Sequence, residues 1–331
     1  MVADIRRMKS KFLVFVSMVL VGTVMLFVST GRLDHVLLQT PLTLTHEDIS
    51  IAEPYQRYRT SDEMLYILHG QGEEFSQYDP QLIDYIRGHI SQPSAARQRK
   101  LARPRRSDAS QVGQSRFVDR LLSGRRNGFF VECGAADGEE YSNSLFFELE
   151  RNWTGLLIEA NPDYHRALLK KNRRAYVLGS CLSTDRRPMT VRMQPADVFG
   201  GITDKMHWSH IAYIGAKNMT RPEIAVNCFP LNSIIEAINV SRVDYMSLDV
   251  EGPELDILRT INWKQLHIDV LTVEYRITKG VERGTHDKPE TLKRLKDLRE
   301  FFRDLGIYRE VALLPTGRED SDGLDIVLSR I

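Results

Sequence analysis

The sequence predicts an open α/β sheet with a ligand pocket at its carboxyl edge, and three observations predict it. From Gly128 onward, short apolar runs alternate with amphipathic stretches, the pattern of strands joined by crossover helices. Phe129 to Pro162 reads as a buried strand, a glycine-rich turn, a helix and a second buried strand closed by Glu159. Val243 to Glu254 repeats that ending, with a buried strand running into Asp249, Glu251 and a proline-initiated helix. Open parallel sheets bind ligands beyond the carboxyl ends of their strands, where all three acids fall.

The elements follow in order. Strands are expected at Phe129–Cys133, Thr154–Glu159, Ala175–Gly179, Val243–Asp249 and Val270–Tyr275. Helices are expected at Ser142–Glu150, Pro162–Asn172, Leu231–Ile238, Pro253–Arg259 and Glu290–Leu305. Apolar runs at Met189–Met193 and Ala225–Phe229 predict extra strands around an insertion. The tail pairs Tyr308–Leu314 with Leu324–Ser329 across a Gly/Asp-rich turn, the pattern of an antiparallel hairpin.

Three segments precede this domain, which is placed at 128–331: a short cytosolic tail (1–11), a transmembrane signal anchor (12–31), and a stem with a basic linker (32–127). Phe12 to Val28 carries no charge, and at about 1.5 Å per residue it spans roughly 26 Å, close to a thin bilayer. The competing reading is a cleaved signal peptide, whose apolar region usually runs about 7–15 residues. Arg6, Arg7, Lys9 and Lys11 precede the run, so the positive-inside bias puts the N-terminus in the cytosol. Everything after Gly31 is then lumenal, as in a single-pass type II membrane protein of the endoplasmic reticulum, Golgi or endosome. The sequons at Asn152, Asn218 and Asn239 are compatible with that side.

Within the stem, Leu82, Ile83, Tyr85, Ile86 and Ile90 follow helical spacing after Pro80, a first-turn proline. Residues 95–106, AARQRKLARPRR, read as a solvated basic linker, the sharper alternative being a convertase site at Arg103–Arg106. Three cysteines argue against a disulfide-built scaffold. Cys133 is expected to pack as a small hydrophobe, while Cys181 and Cys228 either pair or stay separate thiols. A formal charge of +1, from 45 basic and 44 acidic residues, gives no support for nucleic-acid binding.

The chemistry concentrates in two segments. In Glu132–Gly138, ECGAADG, Gly134 and Gly138 let the backbone turn sharply and approach a ligand where a Cβ would intrude. The run departs from G-x-G-x-x-G and lacks the Lys-Ser/Thr of a triphosphate loop. Glu132 before the turn points instead to S-adenosylmethionine (SAM), whose sulfonium and amino groups are cationic. Glu159 is placed to accept hydrogen bonds from both ribose hydroxyls. In the second segment, Asp249 and Glu251 face the pocket, to orient the SAM amino group or take a proton from an acceptor hydroxyl. Glu254 reads as support for the helix N-terminus, and Glu274 as reaching the pocket rim. His207, after Gly200-Gly201, reads as a surface loop residue, with a general base as the alternative. No Cys/His set has zinc-ligand spacing, so no metal is expected.

ECGAADG, LIEANP and SLDVEGPELDIL together resemble the FkbM-type branch of SAM-dependent methyltransferases. The fuller text, SNSLFFELERNWTGLLIEANP and KNRRAYVLGSCLS, is similar to an animal subgroup that includes the insect protein Star. The resemblance implies a class I SAM-methyltransferase-like fold, a seven-stranded sheet with a reversed last strand. It implies that Gly134, Ala135, Asp137 and Gly138 line the methionine moiety, that Glu159 with Ala160 holds the nucleoside, and that Asp249 and Glu251 sit near methyl transfer. One departure is Ser247, where many bacterial members have Lys. The enzyme reading is O-methyl transfer to an unidentified acceptor. Resemblance to Star implies the alternative, a non-catalytic escort for membrane-bound cargo between endoplasmic reticulum and Golgi.

Overall fold

The computed structural model describes residues 76–94, 96–104, 106, 108–279, 286–315 and 323–331. The expected anchor at 12–31 and most of the stem lie outside these. Among the described residues, no helix is long and apolar enough to cross a membrane.

Helix α1 (Pro80–His89) starts where Asp79 accepts from the backbone N–H groups of Gln81 and Leu82, with proline in the first turn. Helix α2 (Gln114–Leu121) follows, then β1 (Phe129–Cys133), α3 (Leu145–Glu150), β2 (Thr154–Ile158), α4 (Pro162–Lys170) and β3 (Tyr176–Leu178). The insertion contributes β4 (Cys181–Leu182), β5 (Met189–Gln194), β6 (Gly201–Ile202), α5 (Trp208–Ala216) and β7 (Ile224–Phe229). The chain then returns through α6 (Leu231–Ala237), β8 (Arg242–Leu248), α7 (Glu254–Thr260), β9 (His267–Glu274), α8 (Lys288–Leu305), β10 (Tyr308–Leu314) and β11 (Asp325–Arg330).

Seven strands form one sheet in the order β10-β11-β9-β8-β1-β2-β3. All neighbours are parallel except β11, which runs antiparallel to both β9 and β10. Because successive strand residues face opposite ways, the strands feed two cores. Val131, Leu156, Met246, Leu271 and Ile326 face one side, packed with α1, α6, α7 and α8. Phe130, Leu157, Tyr245, Val270 and Val327 face the other, with Val118 of α2, Phe146 and Phe147 of α3, and Leu168 of α4. Both faces are covered, which explains why these strands read as nearly continuous apolar runs.

The insertion builds its own four-stranded sheet, β4-β7-β5-β6, and a Cys181–Cys228 disulfide joins β4 to β7 where they pair in register. Of the two cysteine readings, the pair is the one formed. Cys133 is buried in the main core.

The basic segment is mostly exposed, as a solvated linker would be, yet it is tied to the domain at several points: Glu139 accepts from the backbone N–H groups of Ala102 and Arg103, and Arg99 pairs with the buried Glu148. Arg103 and Arg106 both pair with Glu140. The Arg106 N–H donates to Arg103 O at 3.0 Å. The first crossover helix starts at Leu145 rather than Ser142, because the side chains and backbone of 142–144 are spent on Glu132.

Candidate functional site

A cavity of about 770 Å³ opens at the carboxyl ends of β1, β2, β8 and β9 and runs beneath the insertion. It is within the size range of small-molecule sites. All nine sequence-predicted residues, Glu132, Gly134, Ala135, Asp137, Gly138, Glu159, Ala160, Asp249 and Glu251, belong to this end of the sheet, and all but Gly138 line the cavity.

Both glycines make the sharp turn expected of them, and each also packs where no Cβ fits. Gly134 has φ +82°, and a Cβ there would lie 1.9 Å from the Asp249 carbonyl oxygen. Gly138 has φ +75°, and a Cβ would lie 2.2 Å from Leu168 Cδ1. Both therefore serve close packing of the protein on itself, of β1 on the β8 turn and of the loop on α4.

The acids of the β1–β2 side are held by internal bonds. Glu132 is buried, accepting from the Asn143 N–H at 2.6 Å, the Ser142 hydroxyl at 2.9 Å and the Ser144 hydroxyl. Burial still pushes its carboxyl above the usual range, against the pull of nearby Arg173 and these donors. Glu132 lines the cavity, and its oxygens fix the 142–144 turn. Asp137 accepts from the N–H groups of Glu139 and Glu140 and pairs with Lys171 at 3.0 Å. Glu159 accepts from Ala136 N–H and Asn161 N–H, both at 2.7 Å, and burial pushes its carboxyl up to about 7. The Ala160 N–H donates to the same carboxylate, so three backbone donors hold Glu159 and leave it acceptor capacity for one further donor.

The acids of the β8–β9 side are held differently. Asp249 directly follows β8, with its N–H donating to Cys133 O at 3.2 Å. Glu251 stands at φ +62° in the turn before α7, a strained conformation for a residue with a Cβ. Glu274 ends β9 and is buried. One carboxylate oxygen from each of Asp249, Glu251 and Glu274 lies within 4.8 Å of the others. Burial raises all three. Asp249 goes to about 6, with Glu254 and Glu132 adding to burial and a hydrogen bond with Glu274 opposing it. Repulsion from Asp249 adds to burial at Glu251 and Glu274. Glu254 stays structural, as expected: it accepts from the Val250 and Gly252 N–H groups and from Arg294.

Sequence reasoning missed two neighbours. His210 on α5 is buried, and its Nδ1 lies 3.3 Å from Glu251 Oε2; burial lowers its imidazole to about 4. Asn143 donates through Nδ2 to Ser247 Oγ at 2.9 Å, so the serine that departs from the bacterial pattern ties β8 to the loop. His207 is the last loop residue before α5, half-buried, and caps that helix with Nδ1 2.7 Å from Ser209 Oγ. The three-carboxylate cluster has no local sequence pattern because its members come from two strands and the turn after one of them.

A parallel sheet whose final strand is reversed, with acids at the carboxyl ends of β1, β2, β8 and β9, defines the class I methyltransferase fold. Within that class, the Methyltransferase FkbM domain model matches residues 132–307, and the chain belongs to this family. No curated protein matches. Among solved structures, a human methyltransferase 10 domain containing protein is 11% identical, covering 66% of this chain and 79% of that one at a TM-score of 0.35. Aeropyrum pernix fibrillarin with natively bound S-adenosyl-L-methionine is 14% identical over 66% and 76%, at 0.33. The precorrin-6y C5,15-methyltransferase of Geobacter metallireducens is 15% identical over 65% and 87%, at 0.32. Nothing about this chain's ligand follows from likeness at that level.

Proposed function

We propose that this chain is a membrane-anchored, SAM-dependent O-methyltransferase of the secretory pathway. The observation that carries the reading is the cavity's charge: Asp249, Glu251 and Glu274 converge at its wall, and SAM brings a sulfonium and an ammonium to meet such acids. The residues fit the cofactor. Glu159 supplies carboxylate acceptors at the end of β2, the loop 134–138 closes beside it, and the family is one of methyltransferases. When bound, SAM supplies an activated methyl group.

The chain's part is alignment and proton removal. Transfer forms a carbon–oxygen bond on the acceptor and breaks the methyl–sulfur bond, and the acceptor hydroxyl gives up its proton to Asp249 or Glu251. A carboxyl raised towards neutrality is a suitable base for that step. Lumenal placement is supported by the uncharged run Phe12–Val28, by the Cys181–Cys228 disulfide and by the exposure of all three sequon asparagines. Asn152 is among them, although its carboxamide donates to Asn127.

Calorimetric titration of SAM into the full-length chain in detergent tests the reading. Binding is expected, weakened at least tenfold by Glu159→Gln. No binding at millimolar SAM overturns it in favour of a non-catalytic escort.

A further inference from the structure

We propose that Asp249, Glu251 and Glu274 bind a hard divalent cation of the Mg²⁺, Mn²⁺ or Ca²⁺ class at the wall of this cavity. Three carboxylate oxygens within 4.8 Å of one another match the span of one ion's coordination sphere, whose oxygens stand about 2.0–2.6 Å from the metal. The donors come from the ends of two adjacent parallel strands and the turn that follows one of them. The sheet register therefore fixes them before any ion arrives.

A cluster of acids is not by itself a site, and two further observations point to a ligand. Glu274 is 8% exposed, and its Oε2 has no hydrogen-bond partner, although it belongs to a side chain aimed into the cluster. Asn143 is 6% exposed and lines the same cavity. Its Nδ2 is spent on Ser247 while its Oδ1 has no partner. Two buried oxygens without donors at one cavity are costly, and a cation is what oxygens without donors accept.

The nearby side-chain cations are engaged elsewhere. Arg294, which tempers Asp249 and Glu251, donates to Glu254 and to the Gly252 carbonyl. Arg276, also at the cavity, donates to the Gly323 carbonyl at 3.4 Å. All-oxygen donors select Mg²⁺, Mn²⁺ or Ca²⁺ over softer metals. An ion here would hold an acceptor oxygen and favour its deprotonation. That role rests on the methyltransferase reading; the binding itself does not.

The test is calorimetric titration of MgCl₂, MnCl₂ and CaCl₂ into the EDTA-stripped, full-length chain, with SAM titrated separately. Saturable binding of at least one ion is expected, weakened at least tenfold in Glu274→Gln and in Asp249→Asn. Glu159→Gln should lose SAM yet keep the ion, so failure of the SAM reading and failure of this one are distinguishable. Circular dichroism of each variant confirms folding. No saturable binding up to 10 mM (about 100-fold above a 0.1 mM site), or binding unchanged in both Glu274→Gln and Asp249→Asn, overturns the proposal.

Discussion

The β1–β2 and β8–β9 sides of the cavity carry the same residue type at similar depth and treat it in opposite ways. Glu132 and Glu159 are buried, and every carboxylate oxygen accepts from backbone or hydroxyl donors. Asp249, Glu251 and Glu274 are grouped with one another, and Glu274 Oε2 has no donor at all. Glu132, its oxygens spent on the 142–144 turn, is a structural brace, while the donors of Glu159 hold it at the cavity wall. Buried acids facing other acids are destabilising until something cationic joins them. The difference separates acids that the protein itself satisfies from acids that it leaves for a cation.

The largest test breaks the contact between the two sides. Gly134→Ala places a Cβ 1.9 Å from the Asp249 carbonyl at φ +82°, and no flexible side chain can yield there. A loss of about 4 kcal/mol is expected, read as a fall in the urea midpoint of the full-length chain. A loss below 1 kcal/mol would mean that the β8 turn moves easily, and the two sides would not be rigidly coupled.

A pair of substitutions sharpens the contrast directly. Glu132→Ala removes the acceptor of three donors and is expected to cost about 3 kcal/mol. Glu274→Gln removes one of three mutually repelling charges and is expected to stabilise the ligand-free protein by about 1 kcal/mol. If both changes destabilise equally, the acids of the two sides have the same status after all.

The smallest effect is the pH dependence. Glu159, Asp249 and Asp325 have folded values of about 7, 6 and 7, all above the ordinary carboxylate range, with burial as the main cause. Their contribution is fully present below the unfolded value near 4 and is lost as pH rises through the folded values. His165 and His210, lowered to about 4 by burial, oppose this between their unfolded value near 6.5 and 4. The carboxyls outnumber them, since Glu251 and Glu274 are raised as well. Thermal melts of the ligand-free chain should therefore give a higher Tm at pH 5.5 than at pH 7.5. In Asp325→Asn the gap should narrow.

The fold was legible because doubly covered strands write themselves as apolar runs. Asp249 and Glu251 were legible because they end such a run, and Tyr308–Leu314 matched its strand to the residue. Helix α2 was not, since Gln114, Ser115 and Asp119 are buried along it, through bonds to Asp325, Asn143 O and Arg151. Arg173 was not legible either: it is buried and paired with Glu148, and a cation's partner 25 residues away leaves no local pattern. The contact of His210 with Glu251 was hidden for the same reason: the insertion has to fold over the strand ends before the two residues meet.

The Cys181–Cys228 bond closes residues 181–228 into a ring, and that ring carries Met193, Phe199 and Tyr213 of the cavity wall. Its ends are fixed at one register on the main domain's flank, so its contents are free to vary in length. Doubling such a loop costs only about 0.6 kcal/mol in closure entropy. The wall can therefore be rewritten for another acceptor while the sheet and its acids stay as they are, much as a lampshade is changed without rewiring the lamp.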